Sequence, residues 1–400
     1  MLPARTRPPR FSLLCFGFVV CGIVTVLPGP LLPVLATRWH LRDVQSGGFF
    51  AVEFAASTVA AILSPWRLRG SLPLGFGFMA AAVGLLMIAW GPVSAPTGHA
   101  LALAAFALIG LGIGLSVTAT NLTVALSSGA SFGASARARR LSVVNLWWGI
   151  GAVVCPWLIA TAERTGHLRA LLPWLALAAG ASFAALLPLR LSDAGTREPP
   201  KRAPSATQTG TLVYFALFLF LYVGVENTVG GWIATYAHRF TGMTLAAASL
   251  TVSVYWLALL AGRGLGSLAL RPLSERAVLL SGLALALVAV ALLVLPHAPR
   301  VVLAAVALAG AGFGPVFPLG VSRMMARVSD HRPTGWVFAM CAGGGAVLPW
   351  LTGLVSTGSG SLRVGFAIPV AALAVILALA LSENAVLRKP VSAPAAKQEV

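Results

Sequence analysis

The sequence predicts an all-α integral membrane protein whose twelve transmembrane helices form two pseudo-symmetric halves of six. Three observations predict this. Of 400 residues, 58% are hydrophobic and only 10% are charged, a balance far from that of soluble domains. Apolar runs of the length that crosses a bilayer, about 20 residues, recur along the whole chain. Short segments of the first half reappear in the second at a nearly fixed offset.

The twelve spans fall near 11–36, 46–66, 73–92, 99–127, 141–162, 168–189, 210–237, 243–262, 277–295, 300–322, 334–355 and 364–382. Span 1 follows the basic start MLPARTRPPR. It is too long for a signal-peptide core and carries Pro28, Gly29, Pro30 and Pro33, so it reads as a retained first helix. Span 2 carries Glu53 on one continuous helical face with Ser46, Phe50, Ser57 and Ser64. Span 4 holds GLGIGL at 110–115 and a stripe of Ser116, Thr120, Thr123 and Ser127, with Asn121 alongside. Span 5 holds Asn145, Trp148 and GAVVCPWL at 151–158. The polar stretch 191–210, LSDAGTREPPKRAPSATQTG, divides six spans from six. Span 7 carries Glu226, and span 8 carries Tyr255 and Trp256 with Arg263 at its end. Span 10 holds GAGFGP at 310–315 and span 11 holds GAVLPWL at 345–351, so spans 4 and 5 recur as spans 10 and 11. An offset of six helices preserves direction, which is the parallel two-fold arrangement. Spans 3, 6, 9 and 12 rest on apolar length alone. The expected organisation is a bundle at 1–190, a cytoplasmic linker at 191–209, a second bundle at 210–385 and a disordered cytoplasmic tail at 386–400.

The formal charge of +18 follows the membrane topology. All but seven of the 28 Lys and Arg residues fall on one side, the exceptions being Arg38, Arg42, Arg164, Arg169, Arg239, Arg300 and Arg363. The positive-inside rule then places both termini in the cytoplasm, in a multi-pass protein of the cell (inner) membrane. This makes a nucleic-acid partner unnecessary. Cys15, Cys21, Cys155 and Cys341 lie in apolar spans without metal-ligand or disulfide spacing, and they read as packing residues. No metal or cofactor is expected. No loop is long enough for a soluble enzyme domain, and no catalytic cluster occurs in the spans.

Glu226 is the most informative residue. A charge at the centre of a spanning helix costs roughly 2.5–3.5 kcal/mol even on lenient insertion scales, so it needs a reason to be there. Tyr222 lies one turn before it and Gly230 one turn after, on the same face. Gly224, Gly230 and Gly231 are expected to let span 7 bend or unwind, with Trp232 and Tyr236 as an aromatic wall or interfacial belt. Three readings stand for Glu226: a proton carrier, a sodium ligand, or a structural glutamate satisfied by Tyr222, Asn227 or another helix. Glu53 is either a second coupling acid or a gate and helix-contact residue. Asn145 with Trp148 offers an amide and a stacking face, or an interhelical hydrogen bond; the span 4 stripe with Asn121 alongside lines a polar cavity or packs helices through hydroxyl bonds. The candidate solute-binding set is Tyr222, Asn227, Trp232, Asn121, Asn145, Trp148, Tyr255 and Trp256.

These residues resemble the major facilitator superfamily along essentially the whole chain. The segments GPLLPVLATRW at 29–39, NLWWGIGAVVCP at 145–156, YVGVENTVGGWIATY at 222–236 and YWLALLAGRGLG at 255–266 are most similar to its fucose-permease-like sugar-transporter branch. The family's signature turn after helix 2, of the form GxLaDrxGrR, reads AILSPWRLRG at 61–70 here: the basic residues remain and the acid is lost. The resemblance assigns Arg67, Arg69 and Arg263 to an inner latch between the halves, weakened or rebuilt without that acid. It implies a monomeric secondary active transporter, a symporter moving a small polar solute, with a sugar or polyol favoured. Proton coupling would run through Glu226 and Glu53, with sodium as the other coupling ion. The alternatives are proton-driven efflux of amphipathic compounds and a nontransporting membrane receptor or scaffold.

Overall fold

The computed structural model describes residues 11–67, 72–91, 95–127, 134–186, 206–295, 298–328 and 334–387. Among them are twelve helices long and apolar enough to cross a membrane. Spans 1 to 6 are Phe11–Trp39, Asp43–Leu63, Leu72–Trp90, Thr97–Val124, Arg139–Arg164 and Leu168–Leu186. Spans 7 to 12 are Gln208–Thr241, Leu245–Ala269, Glu275–Leu292, Pro299–Arg327, Trp336–Ser359 and Leu362–Val386. An even number of crossings returns the chain to the face where span 1 begins. We call this the terminal face and its opposite the distal face.

The repeated glycines explain why the two halves are built alike. Gly110 lies against the backbone carbonyl of Glu53 in span 2, Gly112 against that of Gly77 in span 3, and Gly114 against that of Ser57. In the second half Gly310 lies against the carbonyl of Tyr255 in span 8, Gly312 against that of Gly282 in span 9, and Gly314 against Gly262. Each contact brings backbone onto backbone and leaves no room for a side chain, which is how apolar helices associate without a hydrophobic driving force. Spans 1 and 5 meet in the same way at Gly22 and Gly151, and spans 7 and 11 at Gly224 and Gly344. The distal turns repeat as well. His40 and Gly242 hold left-handed φ of 51° and 69° after spans 1 and 7, while Gly166 and Gly360 hold 70° and 71° after spans 5 and 11.

The helix breaks do not fall where the sequence suggests. Span 7 belongs to one continuous helix, Ala206–Thr241, whose first residues take up part of the expected linker. Its glycines admit neighbours: Gly224 receives Leu348, Gly230 receives Tyr255 and the carbonyl-side approach of Gly29, and Gly231 receives the Phe50 ring. Span 1 is interrupted instead, with Phe11–Val26 and Pro28–Trp39 separated at Leu27. Pro28, Pro30 and Pro33 lack the N–H that would continue the ladder. Span 10 breaks at Gly314 and Pro315 for the same reason.

Candidate functional site at the junction of the halves

Glu226 is 8% exposed on span 7. The Tyr222 hydroxyl shares its one proton between Glu226 Oε1 at 3.2 Å and the Phe313 carbonyl at 2.9 Å. Tyr255 of span 8 donates to the Glu226 backbone carbonyl at 2.9 Å, tying spans 7 and 8 together at this level. The Arg263 guanidinium lies 3.6 Å from Oε1, with its side chain 34% exposed and its Nε buried without a partner among the described residues. Glu226 and Arg263 are therefore ion-paired at long range, and the guanidinium keeps donors to spare.

The register of spans 5 and 8 places the first half opposite this pair. Ser253 donates to the Val153 carbonyl at 2.8 Å, and Gly149 packs on Leu260 closer to the terminal face. One further turn along the same antiparallel pair brings Asn145 abreast of Arg263, each about 9 Å from the terminal end of its span at 1.5 Å per residue. Asn145 is exposed. Its amide nitrogen donates to Asn121 Oδ1 at 3.3 Å and to the Leu141 carbonyl at 2.8 Å. Asn145 is thus an accessible amide on the terminal side of the floor between spans 5 and 8. The floor is aromatic: Trp148 meets Trp256 edge-on at 5.6 Å, and Trp256 continues into Tyr255 and Phe313.

Beyond the floor the halves are sealed. Arg239, near the end of span 7, donates to Asp43 Oδ2 and Oδ1 at 2.7 and 2.6 Å. Ser356 of span 11 donates to the same carboxylate at 2.5 Å, and the Val44 N–H donates to Thr357 at 2.9 Å. Asp43 opens the helix of span 2, where the positive end of the helix also favours a carboxylate. Below it, Gly47 rests on Trp350, Phe50 on Gly231 and Phe54 on Gly345, a stripe of span 2 turned to the second half. The halves are thus joined at the distal face, whereas Asn145 and Arg263, toward the terminal face, remain accessible.

Several expected solute contacts take other roles here. Tyr222 and Tyr255 are fully buried and brace Glu226. Trp232 is sealed against Phe50, its indole N–H donating to the Pro349 carbonyl at 2.9 Å, so it is no cavity wall in this conformation. Trp256 is buried, and its N–H lacks a partner among the described residues. Asn227 is half-buried, with its amide donating to the Val223 carbonyl. Asn145 forms with Asn121 the interhelical hydrogen bond that was one of its two readings, and it stays accessible. Arg263, expected at an inner latch, lies 3.6 Å from Glu226 of its own half. The Arg67 side chain and all of Arg69 lie outside the described residues. Glu53 is buried, and neither carboxyl oxygen has a hydrogen-bond partner among the described residues.

Sequence reasoning missed two ion clusters. Asp43 lies ahead of the expected start of span 2 and drew no reading, and Arg239 was one of the minority bases. Glu383, just past the expected end of span 12, binds Arg323 and Arg327 of span 10 at 2.7 and 2.8 Å and braces the terminal face of the second half.

A sequence profile of the Major Facilitator Superfamily matches residues 14–334. A glucose/galactose transporter of Brucella abortus biovar 1 (strain 9-941) is 25% identical over 386 residues, covering 90% of each chain. Among solved structures, a bacterial homolog of the human lysosomal transporter Spinster superposes with a TM-score of 0.79 at 14% identity, covering 97% of this chain and 100% of that one. The nucleoside transporter NupG gives 0.75 at 13% identity, covering 93% and 99%.

Proposed function

Since the chain belongs to the Major Facilitator Superfamily, whose members are membrane transporters, we propose that it moves a sugar or polyol by alternating access coupled to a proton on Glu226. The observation that carries this reading is the Glu226–Arg263 pair, 3.6 Å apart, at a level where the other half presents the accessible amide of Asn145. An ionised Glu226 holds Arg263. A proton on Glu226 removes that attraction and frees the guanidinium fork for solute hydroxyls, so proton and solute favour each other's binding. Asn145, Asn121 and Asn227 supply amides that donate and accept, and Trp148 supplies a face for apolar C–H surfaces. The glucose/galactose transporter relative supports a sugar as cargo.

The halves that rock are residues 1–190 and 210–385, with Glu53 as a second acid in the first. The bias of basic residues supports cytoplasmic termini in the cell membrane, so the distal face, where the halves are joined, is the outer one. The test is uptake of radiolabelled glucose and galactose into proteoliposomes with a pH dye inside. Solute-driven proton entry is expected for the wild type and lost in E226Q; neither sugar moving protons would overturn the reading.

A further inference from the structure

Glu53 is 1% exposed, and both of its carboxyl oxygens are buried without a hydrogen-bond partner among the described residues. Gly110 of span 4 lies on its backbone, Gly345 of span 11 on its neighbour Phe54, and Cys155 of span 5 is the titratable side chain in electrostatic range. The charged groups of these elements stay away: Arg139, Arg140, Glu163 and Arg164 sit at the ends of span 5, His99 of span 4 packs on Phe49, and span 11 carries Cys341 and no formal charge. No described cation pairs with Glu53. A bare carboxylate in such a place is not tolerated, whereas a neutral carboxylic acid is.

The repeat sharpens this. Gly110 covers the Glu53 carbonyl as Gly310 covers that of Tyr255, so the two residues hold equivalent positions in the two halves. Tyr255 uses its hydroxyl as a permanent donor to span 7. Glu53 can donate only while it carries a proton. It also lies beside the stripe Gly47, Phe50 and Phe54 that must leave the second half when the distal face opens.

We propose that Glu53 is a second proton-carrying site, loaded from the distal side: it holds its proton while Asp43 latches that face and exchanges it when spans 2 and 11 part. In the exchange the carboxyl O–H bond breaks, the electron pair stays on the carboxylate, and the proton passes to water entering from the distal side. The inference deepens the coupling reading above but does not require Glu226 to be the other carrier.

The test is infrared difference spectroscopy of the full-length protein in phosphatidylethanolamine and phosphatidylglycerol vesicles. A protonated-carboxyl band is expected in the wild type and in E226Q and is absent in E53Q. Its exchange in D2O should be at least tenfold faster in D43N, whose latch is broken. If E53Q does not fold, E53D moves the band and serves the same purpose. A band that survives in E53Q, or equal exchange in wild type and D43N, overturns the proposal. Loss of coupling in E226Q with no Glu53 band sinks this inference alone, and intact coupling in E226Q with the band present sinks only the role given to Glu226.

Discussion

Asp43 and Arg239, 196 residues apart in sequence, close the distal face through two parallel hydrogen bonds of 2.6 and 2.7 Å. Bidentate pairing of a mostly buried carboxylate is the strong form of the interaction, but Arg239 is 35% exposed and screened in proportion. Loss of either partner should shift the balance toward the distal-open state by about 2 kcal/mol, which is about thirtyfold in population. D43N and R239Q are therefore expected to speed labelling of a cysteine placed at Thr357 by a membrane-impermeant thiol reagent. S356A, which removes one donor to the carboxylate, should do so by about 1 kcal/mol. Unchanged labelling in all three would show that the latch does not govern opening.

Tyr255 fixes the backbone at Glu226 from a neighbouring helix. Y255F leaves the Glu226 carbonyl without that donor at a cost of about 1–3 kcal/mol and leaves the packed ring in place. A lower midpoint of thermal unfolding in detergent is expected, with weaker solute binding as spans 7 and 8 loosen. A wild-type midpoint would show the bond to be dispensable.

The glycine contacts make a paired prediction. Gly110 and Gly310 each meet a backbone carbonyl of the adjacent span, whereas Gly180 of span 6 has nothing within 4 Å of an added methyl. G110A and G310A should each destabilise the protein by about 1–3 kcal/mol through overpacking. G180A should be neutral or stabilising by up to about 1 kcal/mol, since alanine is the better helix former. Thermal midpoints of the three variants decide it.

These glycines also show what the sequence made legible. Spans follow from apolar length, and the repeat follows from glycine spacing because close backbone approach tolerates no substitute. Tyr222 and Glu226 were readable together because residues four apart share a helix face. The partner of Glu226 was not readable, because Arg263 reaches it from another helix through tertiary packing alone. Ser356 reaches Asp43 across 313 residues, a separation with no local signal. Gly230 and Gly231 were misleading, since the same residue that permits a bend also permits a tight contact, and here the contact wins.

The central claim is that Glu226 couples proton movement to solute movement through Arg263. It is tested most directly by proton entry into proteoliposomes, driven by an imposed gradient of glucose or galactose, in wild type and E226Q. The account predicts that E226Q still exchanges the sugar across the membrane but carries no protons with it. Full sugar-driven proton entry in E226Q would contradict it.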